Sequence, residues 1–342
     1  MMKKKDKQDQ FNPSNERIKY KYRIHVKRAL KKDEKTILAE LKYLREYEIF
    51  SSFSSFETYN STMADKYINY LFNQDYSLSY MNDALRSLKV FLTWLERQKG
   101  YRSKINYNDI DYLNLSNNQR RTAKATEYKR SYTFEQIIAT IRNMPVETEI
   151  QRRNKALISV NALCSLRISE LRTVKIKNLI EEDGKCLIHI NPKDIDSKFA
   201  KLRFADFVQL PQDIFDNVIN WKNELVKKYG FKDKDPLFPK IPSNFNQANL
   251  LENTVTREEL KSGSQVRDIF KAAFQSAGFD YINPHNFRRT RIKFAMKQSP
   301  EYFNATRQAL GHKNIDTSLN EYGDLSMDEQ REIIASIKLA DS

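Results

Sequence analysis

A chain of 342 residues is long enough for two domains, each burying its own core. Its 59 Lys and Arg outnumber 44 Asp and Glu, and the net charge of +15 points to nucleic acid, where cationic side chains displace counterions condensed on the phosphate backbone. Two cysteines within apolar runs, Cys164 and Cys186, and only four histidines speak against a disulfide framework and a structural zinc site, as expected of a protein from a reducing cytoplasm.

In chain order, residues 1–14 read as a disordered basic tail. The start Met1-Met2-Lys3-Lys4-Lys5 is followed by Asp, Gln and Asn rather than by an apolar segment, so neither a signal peptide nor a membrane span is expected. Four helices should follow. The first runs from Asn15 to about Leu30. The second carries the stripe Ile37, Leu38, Leu41, Leu44 and Tyr47. The third covers Met63 to Phe72, with Ser61-Thr62 as its cap, and the fourth runs from Tyr80 to Leu95, ending near Gly100. Together they predict an all-α module over residues 15–105 with a basic surface, which includes Lys19, Lys21, Arg23, Lys27, Arg28, Lys31 and Lys32. Such faces are ordinarily solvated; beside a DNA-acting domain they become candidates for phosphate contacts.

Residues 106–130 loosen into polar and then basic sequence and read as a linker to a second domain over 131–342. There, Thr133 and Gln136 form a capping box before Ile137-Ile138, and an apolar helix from Lys155 to Leu163 leads into Arg167, followed by a further turn from Ile168 to Val174. Strand character is confined to Lys185–Ile190 and Leu202–Leu210, a hairpin whose long tip carries Lys193, Lys198 and Lys201. Helices are expected again over Asp213–Tyr229, Val266–Ala277 and Asn286–Met296, and no internal repeat is present. The fold class is therefore mainly α with a small β-sheet.

Chemistry on a phosphodiester without a metal needs a nucleophile, cations for the extra charge of the phosphorane, and a proton donor for the leaving 5′ oxygen. Arginine suits the second task, because its planar fork donates two parallel bonds to phosphate oxygens and stays charged. Arg167 and Arg288 are candidates. His285 and Arg288, three residues apart behind Pro284, should project from one face at a helix N-terminus, where an anion is favoured. An arginine in an apolar helix is more often paired with a local carboxylate, and Glu170 is placed both to neutralise Arg167 and to orient it. His189 and His25 read as structural. Among 18 Tyr, any single one is ordinarily a packing residue.

Three boxes change that weighting. Leu166-Arg167-Ile168-Ser169-Glu170-Leu171 resembles the first-arginine box of the tyrosine recombinase (phage integrase) family. Pro284-His285-Asn286-Phe287-Arg288-Arg289-Thr290 resembles its HxxR box, and Leu310-Gly311-His312, with Thr317 and Tyr322 behind it, resembles the final box. The boxes follow the family's order over roughly Tyr132 to the C-terminus. The resemblance implies a two-domain, C-shaped clamp on duplex DNA, with a helical core-binding domain and a tyrosine-recombinase catalytic domain. Tyr322 would then attack the scissile phosphate to form a 3′-phosphotyrosyl link, Arg167 and Arg288 would clamp the non-bridging oxygens, His285 would assist proton transfer at Tyr322, and His312 would bond the phosphate. A hairpin lysine would protonate the 5′ oxygen: counting from the first strand favours Lys193, counting back from Pro211 favours Lys201, Lys198 lies between, and Lys193 is taken. His312 and Tyr322 are ten residues apart, one more than is usual in the family.

The same resemblance implies no cofactor and no metal, double-stranded DNA as partner, and a homotetramer built by exchange of a C-terminal helix. That helix follows the capping box Ser326-Met327-Asp328-Glu329 and carries Ile333, Ile334 and Ile337 on one side. An accessory DNA-bending or directionality factor is compatible with it. The expected function is site-specific recombination, as integration and excision of a mobile element. The alternatives are a chromosome or plasmid dimer resolvase, a type IB topoisomerase, and a DNA-binding regulator that does not cut.

Overall fold

The computed structural model describes residues 10–124, 130–182, 185–197, 202–245 and 251–311. The chain divides into two compact units, residues 1–126 and 127–342. The first is helical: α1 Pro13–Arg28, α2 Glu34–Phe50, α3 Ser61–Asn73, α4 Leu78–Glu96, α5 Tyr107–Ile110 and α6 Asn117–Lys124. Each long helix opens on a side chain that accepts a bond from an otherwise unpaired amide: Asn12 from Ser14 and Asn15, Asp33 from Thr36, Asn60 from Met63, Ser77 from Tyr80. The cap of α3 is thus Asn60, with Ser61 and Thr62 already inside the helix. Aromatic rings fill the centre. Tyr22 meets Phe91 edge-on at 5.1 Å, and Tyr47 meets Tyr67 likewise at 5.1 Å.

Three expectations need correction here. Leu38 is exposed on the outer side of its helix, because the stripe that is buried in α2 runs through Ile37, Leu44 and Tyr47. Lys19 is not a surface charge: it is buried and shared between Glu16 and Glu48, at 2.6 Å from each. The stretch from residue 106 does not begin as a bare connection, since Ile110, Leu113 and Leu115 join the core of the first unit. Its polar composition masked three apolar anchors spaced too irregularly to read as a helix.

The second unit contains α7 Phe134–Asn143, α8 Glu149–Cys164, α9 Ile168–Thr173, β1 Leu179–Glu182, β2 Lys185–Ile190 and β3 Arg203–Asp206, then α10 Gln212–Tyr229. After these come β4 Ser243–Phe245, β5 Leu251–Asn253, α11 Gly263–Ser276, α12 Asn286–Met296 and α13 Pro300–Ala309. Capping boxes open α7 at Thr133 and Gln136 and α8 at Thr148 and Gln151. From Ala156 to Cys164 every residue of α8 is buried, which makes it the central rod of the unit, packed against α10. Gly230 ends α10 in the left-handed conformation that glycine adopts without cost.

The sheet has three antiparallel strands in the order β1-β2-β3, one more than the expected hairpin, while the second strand is shorter than expected. In β3 the alternation of side chains sends Arg203 and Ala205 inward and Phe204 and Asp206 outward. Ile190 lies opposite Arg203 at the end of the pair, and His189 stacks on Phe204 at 4.8 Å. β4 and β5 form a separate two-stranded ribbon.

Tyr132 fastens the start of this unit to α11, α12 and the connection between them. Its ring stacks on Phe274 at 3.9 Å. Its hydroxyl donates to Asp280 O and accepts from Ile282 N, both at 2.6 Å, and its carbonyl accepts from Thr290 Oγ1 in α12 at 2.6 Å. Both cysteines are free and buried, and burial pushes the Cys164 thiol up to about 12, leaving it protonated and inert. No helix among the described residues is long and apolar enough to cross a membrane, and none of their His, Cys, Asp and Glu cluster as three or more potential metal ligands.

Candidate active site

The site begins where α8 stops. Ser165 follows it in the left-handed region, at φ 53° and ψ 52°, and its N–H donates to Asn161 O. A non-glycine residue there costs roughly 1 kcal/mol, and two contacts hold it. The Ser165 carbonyl accepts from Arg288 Nη1 at 2.9 Å, and its Oγ donates to Phe287 O at 3.4 Å. This reversal turns the chain so that Arg167 becomes the residue preceding α9. Glycine is the usual occupant of such a position, so no local signal marks Ser165 in the sequence.

Arg167 is half-buried and bound to Glu170 twice. Its backbone N–H donates to Glu170 Oε2 at 2.8 Å, and its Nη1 donates to Oε1 at 3.0 Å. Glu170 has no exposed surface. A third donor is one the sequence reading missed: Arg203 Nη2, from β3, reaches Glu170 Oε2 at 2.7 Å. Burial alone would raise the carboxyl pKa, but Arg203, then Arg167 and its amide, then Arg288 outweigh it, and Glu170 is held below the usual carboxylate range.

Arg288 is fully buried in the first turns of α12. Besides Ser165, it donates through Nη2 to the carbonyl of Leu310 at the end of α13. Arg203 Nη1 donates to the neighbouring carbonyl, that of Ala309. These are among the carbonyls that a helix C-terminus leaves without intrahelical partners, and they lie at its negative end, so two guanidiniums are well matched to them. Gly311 follows at φ 75°, and a Cβ built on it would come within 3.1 Å of Arg203 Cδ. The glycine of the last box is therefore required twice, by its backbone and by the arginine lying over it.

The structure thus brings all three boxes together around Glu170, Ser165 and the end of α13. His285 and Arg288 do not share an environment as expected. His285 precedes α12 and is exposed, with its N–H bonded to Asn283 Oδ1 at 3.0 Å, whereas Arg288 points inward. The chain enters the helix at His285, so the three-residue step carries Arg288 onto the side that meets Ser165 and the end of α13. Arg291, one further turn along, is also buried. Its Nε and Nη1 make no hydrogen bond to the described residues, and desolvation draws its pKa down, with Cys164 and Asp206 among its neighbours. Lys193 lies exposed in the turn after β2, its N–H bonded to Asn191 Oδ1 at 3.0 Å. Lys198, Lys201, His312, Tyr322 and the C-terminal helix lie outside the described residues.

Three guanidiniums around one carboxylate leave this part of the unit with an excess of fixed positive charge, an arrangement suited to an anion with paired oxygens such as a phosphodiester. A mostly helical unit with a small sheet, carrying these boxes, is the architecture of a DNA strand-cleaving and rejoining enzyme. Residues 130–329 match the phage integrase family. The chain belongs to that family and is a tyrosine recombinase. A probable integrase/recombinase of Aquifex aeolicus (strain VF5) is 26% identical over 324 residues, covering 89% of this chain and 94% of the relative. Among solved structures, the site-specific recombinase XerH bound to palindromic difH in a post-cleavage complex superposes with a TM-score of 0.63 at 18% identity, covering 88% of this chain and 79% of that one. A lambda integrase tetramer bound to a Holliday junction gives 0.58 at 14% identity, covering 89% and 78%.

Proposed function

We propose that this recombinase integrates and excises a mobile element, cutting each strand with Tyr322. Tyr322 Oη bonds to the scissile phosphorus as its proton leaves toward His285, and the P–O5′ bond breaks with a proton delivered to O5′ by a hairpin lysine, taken as Lys193. One phosphoester replaces another, so the 5′ hydroxyl of a second strand can attack the same phosphorus and release Tyr322 without an external energy source. Arg167 and His312 bind the non-bridging oxygens and offset the charge that develops on them, and Arg288, proposed from its box as the second clamp, joins them by giving up its bonds to the Ser165 and Leu310 carbonyls. The N-terminal helical unit adds its basic side chains to the hold on the duplex, and four copies act together on two duplexes in the nucleoid, linked through the C-terminal helix. Lambda integrase, seen as a tetramer on a Holliday junction, supports that stoichiometry.

The observation that carries this reading is the cluster of Arg167, Arg203 and Arg288 about Glu170, which joins the three boxes. The test is a nicked suicide duplex carrying a sequence selected by the protein from a random pool. The expected product is an SDS-stable, protease-sensitive adduct that disappears in Tyr322→Phe. An adduct persisting in that variant overturns the nucleophile, and none with the wild type overturns the cleavage reading. Plasmids bearing the selected site then separate the roles. Joining of two unlike sites supports integration, and resolution of direct repeats alone supports a dimer resolvase instead.

A further inference from the structure

We propose that Arg203 is a positioning residue for strand cleavage, acting through Arg167 and through the turn at Gly311; this rests on the site reading above. Arg203 belongs to none of the three boxes. It leaves β3 on the inward side, opposite Ile190, and is almost completely buried. One arm of its guanidinium reaches Glu170 and the other reaches the carbonyl of Ala309, while its aliphatic part lies against Gly311. Three segments distant in sequence therefore meet on one side chain: the strand that returns from the lysine-bearing connection, the first-arginine box, and the turn leading into His312.

The chemistry explains why an arginine fills this position. Glu170 shared only with Arg167 would pull that guanidinium wholly onto itself and weaken its hold on a phosphate. A second cation on Oε2 divides the carboxylate charge, so Arg167 keeps its orientation while less of its charge is neutralised by Glu170. A planar fork spans a carboxylate and a carbonyl in fixed geometry, which the single ammonium of lysine does not reproduce. Arg288 holds the adjoining Leu310 carbonyl, so two arginines from separate elements set the end of α13 like two fingers on a hinge. Partners that orient metal ligands typically change affinity or activity by about 10–100-fold when altered, and an arginine orienting another arginine is expected to act on the same scale.

The test uses the full chain and the nicked suicide duplex described above. Arg203→Lys keeps a cation beside Glu170 and should retain wild-type melting and DNA affinity, yet slow formation of the Tyr322 adduct by about tenfold or more. Arg203→Ala should slow it further. Combined with Glu170→Gln, its penalty should be smaller than the sum of the two single losses, because both act through Arg167. A methylphosphonate at the scissile position removes one oxygen charge that Arg167 serves, and should shrink the Arg203→Lys penalty. Gly311→Ala, which pushes a methyl group at Arg203 Cδ, should copy the defect. A folded, DNA-bound Arg203→Lys protein with the wild-type adduct rate overturns the proposal, as do additive penalties or a defect indifferent to the methylphosphonate. Absence of any Tyr322-dependent adduct in the wild type would instead overturn the site reading itself, and this proposal with it.

Discussion

Among the described residues, the N-terminal unit and the catalytic unit each bury one glutamate completely, Glu48 and Glu170, and the two carboxylates shift in opposite directions. Glu48 competes with Glu16 for a single cation, Lys19. Desolvation prevails there and its pKa rises. Glu170 is itself shared by two arginines and takes a backbone N–H as well; the cations prevail and its pKa falls. Equal burial gives opposite charge behaviour because the number of donors per carboxylate decides which term is larger. The first arrangement suits a core that only has to pack. The second maintains an ionised anchor among guanidiniums that have an anion to bind.

The largest expected effect breaks the second arrangement. Glu170→Ala leaves Arg167 and Arg203 without their anion and should cost about 3–5 kcal/mol in the unfolding of the catalytic unit. Urea unfolding can be followed unit by unit, since Trp221 is buried in the catalytic unit and Trp94 lies in the N-terminal one; a loss below 1 kcal/mol would contradict the account. The same contrast extends to neutral groups. Tyr132→Phe removes a hydroxyl with two partners and should cost about 1–2 kcal/mol, whereas Tyr67→Phe removes a buried hydroxyl with no hydrogen-bond partner among the described residues and should be neutral or stabilise by up to about 1 kcal/mol. Equal losses for both would show that hydrogen bonding is not what separates them.

Glu48→Gln should change stability least, by no more than about 1 kcal/mol at neutral pH, because Lys19 keeps Glu16 and the carboxyl no longer needs desolvating as an anion. The pH dependence sharpens the pair. Glu170, lowered from 4.5, contributes stability above that value that is lost as pH falls through its folded pKa. Glu48, raised from 4.5, favours the folded state as pH falls from its folded pKa toward 4.5, since the native protein then binds the extra proton. Unfolding curves between pH 3 and 7 for wild type and the two glutamine variants should show slopes of opposite sign; slopes of one sign would end the comparison.

Much of the local structure was legible from spacing and caps. The helix Asn286–Met296 and the box at Thr133 and Gln136 are found as expected, and Glu170 pairs with Arg167. Other elements carried too little signal. In β1, Leu179-Ile180-Glu181-Glu182 shows no alternation, because its partner strand rather than its own pattern makes it a strand. In α13 only Thr306 is fully buried, so no apolar stripe announces the helix. Ser165 looks like any helix-end serine until its left-handed backbone and the Arg288 bond are seen.

By itself the sequence determined the period of most of the helices, the capping box at Thr133 and Gln136, the order of the three boxes and the excess of positive charge, since all of these depend on residues within a few positions of one another or on composition alone. Only the tertiary structure decided that Arg288 is wholly buried while His285 is exposed, and that Arg203, 33 residues beyond Glu170, completes the anchor of Arg167. Local spacing sets which face a side chain leaves from. What that face meets depends on how distant elements pack, and here the packing of β3 against α9 and the end of α13 joins the parts of the site.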